Sequence, residues 1–221
     1  MAKLKVVTID GPAGAGKSTV AKRLAERIGW RLLDTGAMYR AITLAALRKG
    51  IDLRSDVAMG SLAADLDFRL QTGRVQLDGE DVTLAIRDQE VTRCTKHAAD
   101  CPSVRRLLVE WQRQFAEAEG PIVTEGRDQG TIVFPSAYRK FYLVATDLER
   151  SKRRHAELAE RGLNIALTQV LHEILERDAH DANRSIAPMR PALDAKVIDS
   201  SGLTLDEVVS LLEEEICRGD R

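Results

Sequence analysis

The sequence predicts an α/β fold whose core is a parallel sheet flanked by helices, and three observations carry that prediction. A short β-branched run near the N-terminus passes through a glycine loop directly into helical spacing. A second strand-then-helix unit follows at once, and two consecutive units of this kind favour parallel pairing. Three further apolar runs separated by helical stretches bring the expected strands to five, after a middle segment of different character.

Taken in order, Leu4 to Ile9 is a buried strand closed by Asp10-Gly11-Pro12. From Ser18 onward Val20, Leu24 and Ile28 share one helix face, with Gly29 at the stop. Arg31-Leu32-Leu33 reads as the second strand, and Asp34-Thr35-Gly36 caps a helix running through Met38, Ile42, Ala45 and Leu47 to Gly50. Between Asp67 and Thr83 apolar residues alternate (Phe68, Leu70, Val75, Leu77, Val82) around the turn pairs Thr72-Gly73 and Asp78-Gly79, which predicts a small antiparallel insertion. A helical stretch follows to about Asp100. Pro102 then opens a helix with Val104, Leu107, Leu108, Trp111 and Phe115 apolar, ending at Gly120. Ile122-Val123, Phe141 to Val144 and Val197-Ile198 are the third, fourth and fifth strands, and Thr146-xx-Glu149 and Thr204-xx-Glu207 are capping-box patterns for the helices that follow the last two.

Composition bounds the function. Among 221 residues, 44% are hydrophobic and 30% charged, and 33 Lys+Arg against 34 Asp+Glu leave a net charge of -1. So even a balance argues against a surface built for nucleic acid or acidic membrane and requires any basic function to be local. Three cysteines, Cys94, Cys101 and Cys217, lack CxxC spacing and suggest a reducing compartment. No leader pattern follows Met1 and no stretch reaches the ~18 apolar residues of a membrane span. A cytoplasmic protein with no membrane and no nucleic-acid partner is expected.

The strongest chemical signal is Gly11-Pro12-Ala13-Gly14-Ala15-Gly16-Lys17-Ser18, a full match to the phosphate-loop pattern GxxxxGK[ST] between a strand and a helix, with Thr19 next. Glycines let the backbone turn its N–H groups inward and the helix N-terminus adds positive potential. Lys17 is suited to the β and γ phosphates, and the Ser18 hydroxyl to Mg²⁺. The chain has no NKxD tetrapeptide, and its third strand leads into Glu125-Gly126-Arg127-Asp128 instead of a DxxG loop, which argues against a GTPase switch. Arginines stand instead at loops and helix starts: Arg40, Arg105, Arg127, Arg153, Arg177 and Arg184. Transfer between two highly charged nucleotides requires such guanidiniums to offset repulsion.

On these residues the chain resembles the bacterial cytidylate kinases of the nucleoside monophosphate kinase family, along nearly its whole length. The other segments that carry the likeness are Leu33 to Arg40, Glu125 to Pro135, and Glu176-Arg177-Asp178 through Asp181, Asn183, Arg184 and Ala187-Pro188. The resemblance implies a P-loop NTPase-type core with a five-stranded parallel sheet, an inserted monophosphate-binding region with antiparallel strands at about 61–101, and a short lid at about 151–164. The core then comprises 1–60, 102–150 and 165–221.

It implies transfer of the γ-phosphoryl group of ATP to CMP or dCMP in pyrimidine nucleotide metabolism, with Mg²⁺ as cofactor and a monomer as the working unit. Arg40 and Arg127 would clamp the acceptor phosphate, with Tyr39 alongside. Thr35, Arg105, Asp128 and Arg184 would form the cytosine pocket, and Arg177 and Asp181 the sugar site. Arg153 would be the lid arginine that reaches ATP and, with Lys17 and Arg127, would serve catalysis. Where the family places a serine near the sugar, nine residues before Arg105, this chain has Lys96 followed by His97. Lys96 is expected to reach Asp181 or the acceptor phosphate.

Each assignment has a plainer alternative. Arg150 to Arg154 could be a solvated helix face, Arg177 and Asp181 an i,i+4 ion pair, and Asp128 a brace for its loop. His172-Glu173 and His180 lack the HExxH spacing of a zinc site and read as structural. For the chain as a whole, another small kinase with a UMP or AMP acceptor, or a P-loop nucleotide sensor without transfer, are the competing readings.

Overall fold

The computed structural model describes residues 5–71 and 73–218. Leu4, where the first strand is expected to begin, and Thr72 of the first turn pair lie outside the described residues. The chain divides into two units, one formed by Met1–Leu33 with Glu119–Arg221 and the other by Asp34–Ala118.

The first unit is built on a five-stranded parallel sheet, as the sequence predicts. Its strands are β1 (Val6–Asp10), β2 (Arg31–Asp34), β6 (Ile122–Gly126), β7 (Arg139–Val144) and β8 (Lys196–Asp199), in the order β2-β6-β1-β7-β8. Val6 pairs with Ile122 and Asp10 with Gly126, so β1 and β6 end together. Every residue of these two strands is buried, as fits a central pair covered on both faces. On one face Val7, Ile9, Phe141 and Leu143 meet Val20 and Leu24 of α1 (Lys17–Ile28) and Val208 and Leu212 of α8 (Leu205–Cys217). A smaller cluster sets Ala13 against Leu158 of α6 (Asp147–Glu160) and Val170 and Ile174 of α7 (Leu167–Asn183).

The expected helix stops and starts are found. Gly29 takes φ 70° and its N–H donates to the Ala25 carbonyl, ending α1. Thr204 and Glu207 form the full reciprocal box at α8. At α6 Thr146 Oγ1 accepts from the Glu149 N–H at 3.3 Å, but the Glu149 carboxylate accepts from Arg153 Nε at 3.2 Å, a charge-assisted partner within reach one turn on. A single π-type turn over Gln129–Val133 follows β6 and has no sequence signature.

The second unit holds α2 (Thr35–Arg48), capped by Asp34 through the Ala37 N–H at 2.8 Å. Its small antiparallel sheet is β3 (Phe68–Gln71), β4 (Arg74–Leu77) and β5 (Glu80–Asp81). The turn at Asp78-Gly79 has φ of 51° and 83°, the left-handed pair that a two-residue hairpin of type I′ demands. α4 (Gln89–Asp100) and α5 (Pro102–Glu119) follow, and Trp111 on α5 packs between Phe68 and Phe115 at ring distances of 5.4 and 5.5 Å.

One helix of this unit, α3 (Asp56–Asp65), was not expected from the pattern. Its residues Val57, Ala58, Met59, Gly60, Leu62, Ala63 and Ala64 spread small apolar groups around the axis instead of drawing one stripe, and only Met59, Gly60 and Leu62 are buried.

Candidate functional site

β1 ends in the glycine loop, whose path leaves no room for a side chain at Gly11 or Gly14. A Cβ on Gly11, at φ 141°, would lie 2.1 Å from the Leu143 carbonyl oxygen, and one on Gly14, at φ 73°, would lie 2.9 Å from that of Arg150. Gly16, also left-handed, stands at the cap of α1, whose N-terminus has no side-chain cap and no acidic residue in its first turn. Such an end presents unpaired N–H groups and positive potential to an anion.

Lys17 is buried and donates from Nζ to the Pro12 carbonyl at 2.7 Å. Burial, then the nearby positive charge of Arg127, pushes its ammonium down to about 7. An anion at this loop would supply the opposite charge that restores it.

The loop is stapled from behind by Asp178 and Arg150, to which the sequence assigns no such role. Asp178 on α7 accepts from the Ala13 N–H at 2.8 Å and pairs with Arg150 of α6. Arg150, itself buried, donates to the Ala13 carbonyl at 2.8 Å and pairs with Asp147 at 2.6 Å. Arg153, one turn on, donates to the Ser200 hydroxyl at 3.0 Å and the Ser200 carbonyl at 2.8 Å. Its guanidinium would lie 3.7 Å from a Cβ on Gly16, beside the loop.

At the end of β6 a second group gathers. Ser18 Oγ donates to Glu125 Oε1 at 2.9 Å. Among the described residues no cluster of three or more His, Cys, Asp or Glu is placed to hold a metal. Mg²⁺ needs no such cluster, because one or two hard oxygens plus substrate phosphates suffice, and the Ser18–Glu125 pair fits that donor set.

Asp10, at the end of β1, accepts from the N–H groups of Gln129 and Gly130 at 2.9 and 2.7 Å and so fixes the turn that carries Asp128. Burial pushes its carboxyl up to about 6 despite these two donors. Asp128 itself is buried, and its carbonyl accepts from the N–H groups of Ile132 and Val133.

Arg127 donates from Nε to Asp181 Oδ2 at 2.9 Å. Burial opposes its charge, yet Asp181, Glu125 and Asp178 hold the guanidinium above its ordinary value. Asp181 is likewise opposed by burial, but Arg127, Arg177 and Arg184 keep it below the usual carboxylate range. Arg184 stands 3.7 Å from Asp181 and donates to the Ala187 carbonyl at 2.8 Å. Two guanidiniums, those of Arg127 and Arg184, thus stand at the Asp181 carboxylate. Lys96 is an exposed residue of α4.

In the second unit four of the expected residues come together. Thr35 and Tyr39 are buried on the first turns of α2, and Arg40 lies 3.5 Å from Asp34. A Cβ on Gly36 would meet the Arg40 guanidinium at 2.9 Å, so the glycine makes room for it. Arg105 on α5 is buried, with its guanidinium 5.8 Å from the Tyr39 ring centroid.

Comparison with known proteins adds a sequence-wide likeness. A family model described as cytidylate kinase matches residues 7–218. The cytidylate kinase of Shewanella sediminis (strain HAW-EB3) is 46% identical over 212 residues, covering 93% of this chain and 92% of that protein. That of Shewanella loihica (strain ATCC BAA-1088 / PV-4) is 46% identical over 211 residues, covering 93% and 91%. Among solved structures, an uncharacterized protein from Eubacterium ventriosum ATCC 27560 superposes with a TM-score of 0.57 at 11% identity, covering 98% of this chain and 99% of its own. A gluconokinase from Sinorhizobium meliloti 1021 gives 0.52 at 14% identity, covering 97% and 93%. At such identities these two likenesses concern the fold alone.

Proposed function

The chain belongs to the cytidylate kinase family, and from that premise we propose how its own residues transfer the γ-phosphoryl group of ATP to CMP or dCMP. The observation that carries the reading is the buried Lys17 at the mouth of an uncapped helix, within a loop too tight for any side chain at Gly11 or Gly14.

The backbone of Gly11 to Thr19 cradles the donor phosphates, and Lys17 neutralises charge that grows on the transferring group. Arg153, on the segment assigned as a lid, adds a second positive group on the donor side. Ser18, with Glu125 behind it, would hold Mg²⁺. A bound ion there would supply positive charge that offsets the charge of the donor phosphates.

The acceptor needs no protein base, since a phosphate monoester has a second pKa of ~6 and is already a dianion at neutral pH. The work left to the protein is alignment and charge compensation. By the family likeness Arg40 and Arg127, with Tyr39 alongside, serve the acceptor phosphate. Thr35, Arg105, Asp128 and Arg184 read cytosine. The Asp128 carboxylate accepts from the exocyclic amino group, a donor that uracil lacks. Arg177 and Asp181 hold the sugar, with the stretch at about 61–101 as part of the nucleoside-monophosphate region.

No helix among the described residues is long and apolar enough to cross a membrane. We place the working protein in the cytoplasm as a monomer acting on small molecules alone, which size-exclusion chromatography with light scattering checks. A coupled assay of ADP formation across CMP, dCMP, UMP and AMP tests the substrate reading. Activity is expected with the two cytidylates. Equal or greater activity with UMP or AMP would move the chain to another acceptor class, and binding of ATP without transfer to any of the four would make it a sensor.

A further inference from the structure

The start of α5 is held by a carboxylate from α3. Asp56, the first residue of α3, accepts through Oδ1 from the Ser103 N–H at 2.9 Å and from the Cys101 thiol at 2.9 Å, and through Oδ2 from the Ser103 hydroxyl at 2.7 Å. α5 has no acidic residue in its own first turn, so Asp56 meets the N–H groups and positive end that this helix leaves open. These donors, Cys101 first, hold Asp56 below the usual carboxylate range, while burial pushes the Cys101 thiol up to about 11 and keeps it protonated as a donor.

The backbones also approach closely. A Cβ on Gly60 would lie 2.6 Å from Ser103 Cβ, so α3 can dock here only with glycine at that position. Two independent contacts, one polar and one steric, thus fix the same turn of α5.

Arg105 leaves that turn two residues later. Its N–H donates to the Cys101 carbonyl at 3.0 Å and its Nη1 to the Ala99 carbonyl at 3.4 Å, with the guanidinium against Tyr39. Ala99 lies on α4, so the guanidinium keeps this carbonyl and the Tyr39 ring within reach only while the first turn of α5 is held in place. We infer that Asp56 is a positioning residue for CMP recognition, fixing the first turn of α5 and thereby where Arg105 presents its guanidinium to the acceptor nucleotide. This inference rests on the reading of Arg105 as a CMP contact.

The test is a kinetic double-mutant cycle on the full chain, varying CMP and ATP in turn for Asp56→Ala, Arg105→Ala and the double variant. Asp56→Ala is expected to raise KM for CMP about tenfold and to change KM for ATP less than about twofold. In the Arg105→Ala background the same change should add almost nothing, because the group it positions is gone. Asp56→Asn, whose amide can still accept from Ser103 N–H while the Ser103 hydroxyl turns to accept, should recover most of the loss. An equal rise in both KM values, or a full additional loss in the Arg105→Ala background, would overturn the inference. If Arg105→Ala leaves KM for CMP unchanged, the reading of Arg105 itself fails, whatever Asp56 does. Should Asp56→Ala not fold, Asp56→Asn carries the cycle: its residual rise of about threefold in KM for CMP should vanish in the Arg105→Ala background, and a rise that persists there would contradict the inference.

Discussion

Arg127 and Asp181, residues assigned to the phosphate and the sugar of the same acceptor, hold each other at 2.9 Å inside the first unit. Both side chains are mostly buried, at 16% and 9% exposure. A charge so placed is costly to leave alone. Asp181→Ala removes the carboxylate that Arg127 and Arg184 both face and is expected to destabilise the fold by ~3 kcal/mol, whereas Arg127→Met leaves Asp181 with Arg177 and Arg184 and should cost distinctly less. Urea unfolding of the two variants checks the order, and equal or reversed losses would contradict the pairing as a stabilising element.

Asp128→Asn is expected to lose much of the preference for CMP over UMP. An amide can offer N–H as well as C=O, so it no longer demands a donor at the pyrimidine 4-position. The ratio of kcat/KM for the two nucleotides is the readout. An unchanged ratio would make Asp128 a brace for the turn that Asp10 also holds.

Asp10 should make stability fall as pH rises. Its carboxyl is pushed from 3.8 up to about 6 in the fold, so the native state takes up the proton at higher pH than the unfolded chain does. The stability this group contributes is fully present below the unfolded value and is lost as pH rises through about 6, on the order of 3 kcal/mol in all. Asp181, held low, acts in the opposite sense, so the comparison is made against Asp10→Asn across about pH 4 to 7. The stability of wild type relative to the variant should decline over that range, and parallel profiles would contradict the raised carboxyl.

The sheet was legible in the sequence because its strands are short buried runs bounded by glycine, proline and capping residues, signals that act locally. The glycine loop was legible for the same reason: its spacing alone dictates how the backbone turns. Ser18 and Glu125, by contrast, stand 107 residues apart and meet only because β1 and β6 end side by side. The roles of Asp10 and Asp178 were hidden on similar grounds, both being ordinary carboxylates until the fold brings distant N–H groups to them. Arg127 and Asp181 were each legible from the family likeness, but their pairing with each other was not. α3 was missed because its small apolar residues draw no stripe, although its first residue caps another helix.

Lys17→Ala offers the most direct test of phosphoryl transfer at this loop. The variant removes a buried cation from the transition-state site, a loss of ~2.7 kcal/mol or more, while leaving the glycine turns and the Asp178–Arg150 staple in place. Single-turnover transfer from ATP to CMP should fall at least ~10²-fold in a protein that still unfolds cooperatively. Near-wild-type turnover by a folded Lys17→Ala protein would contradict the mechanism.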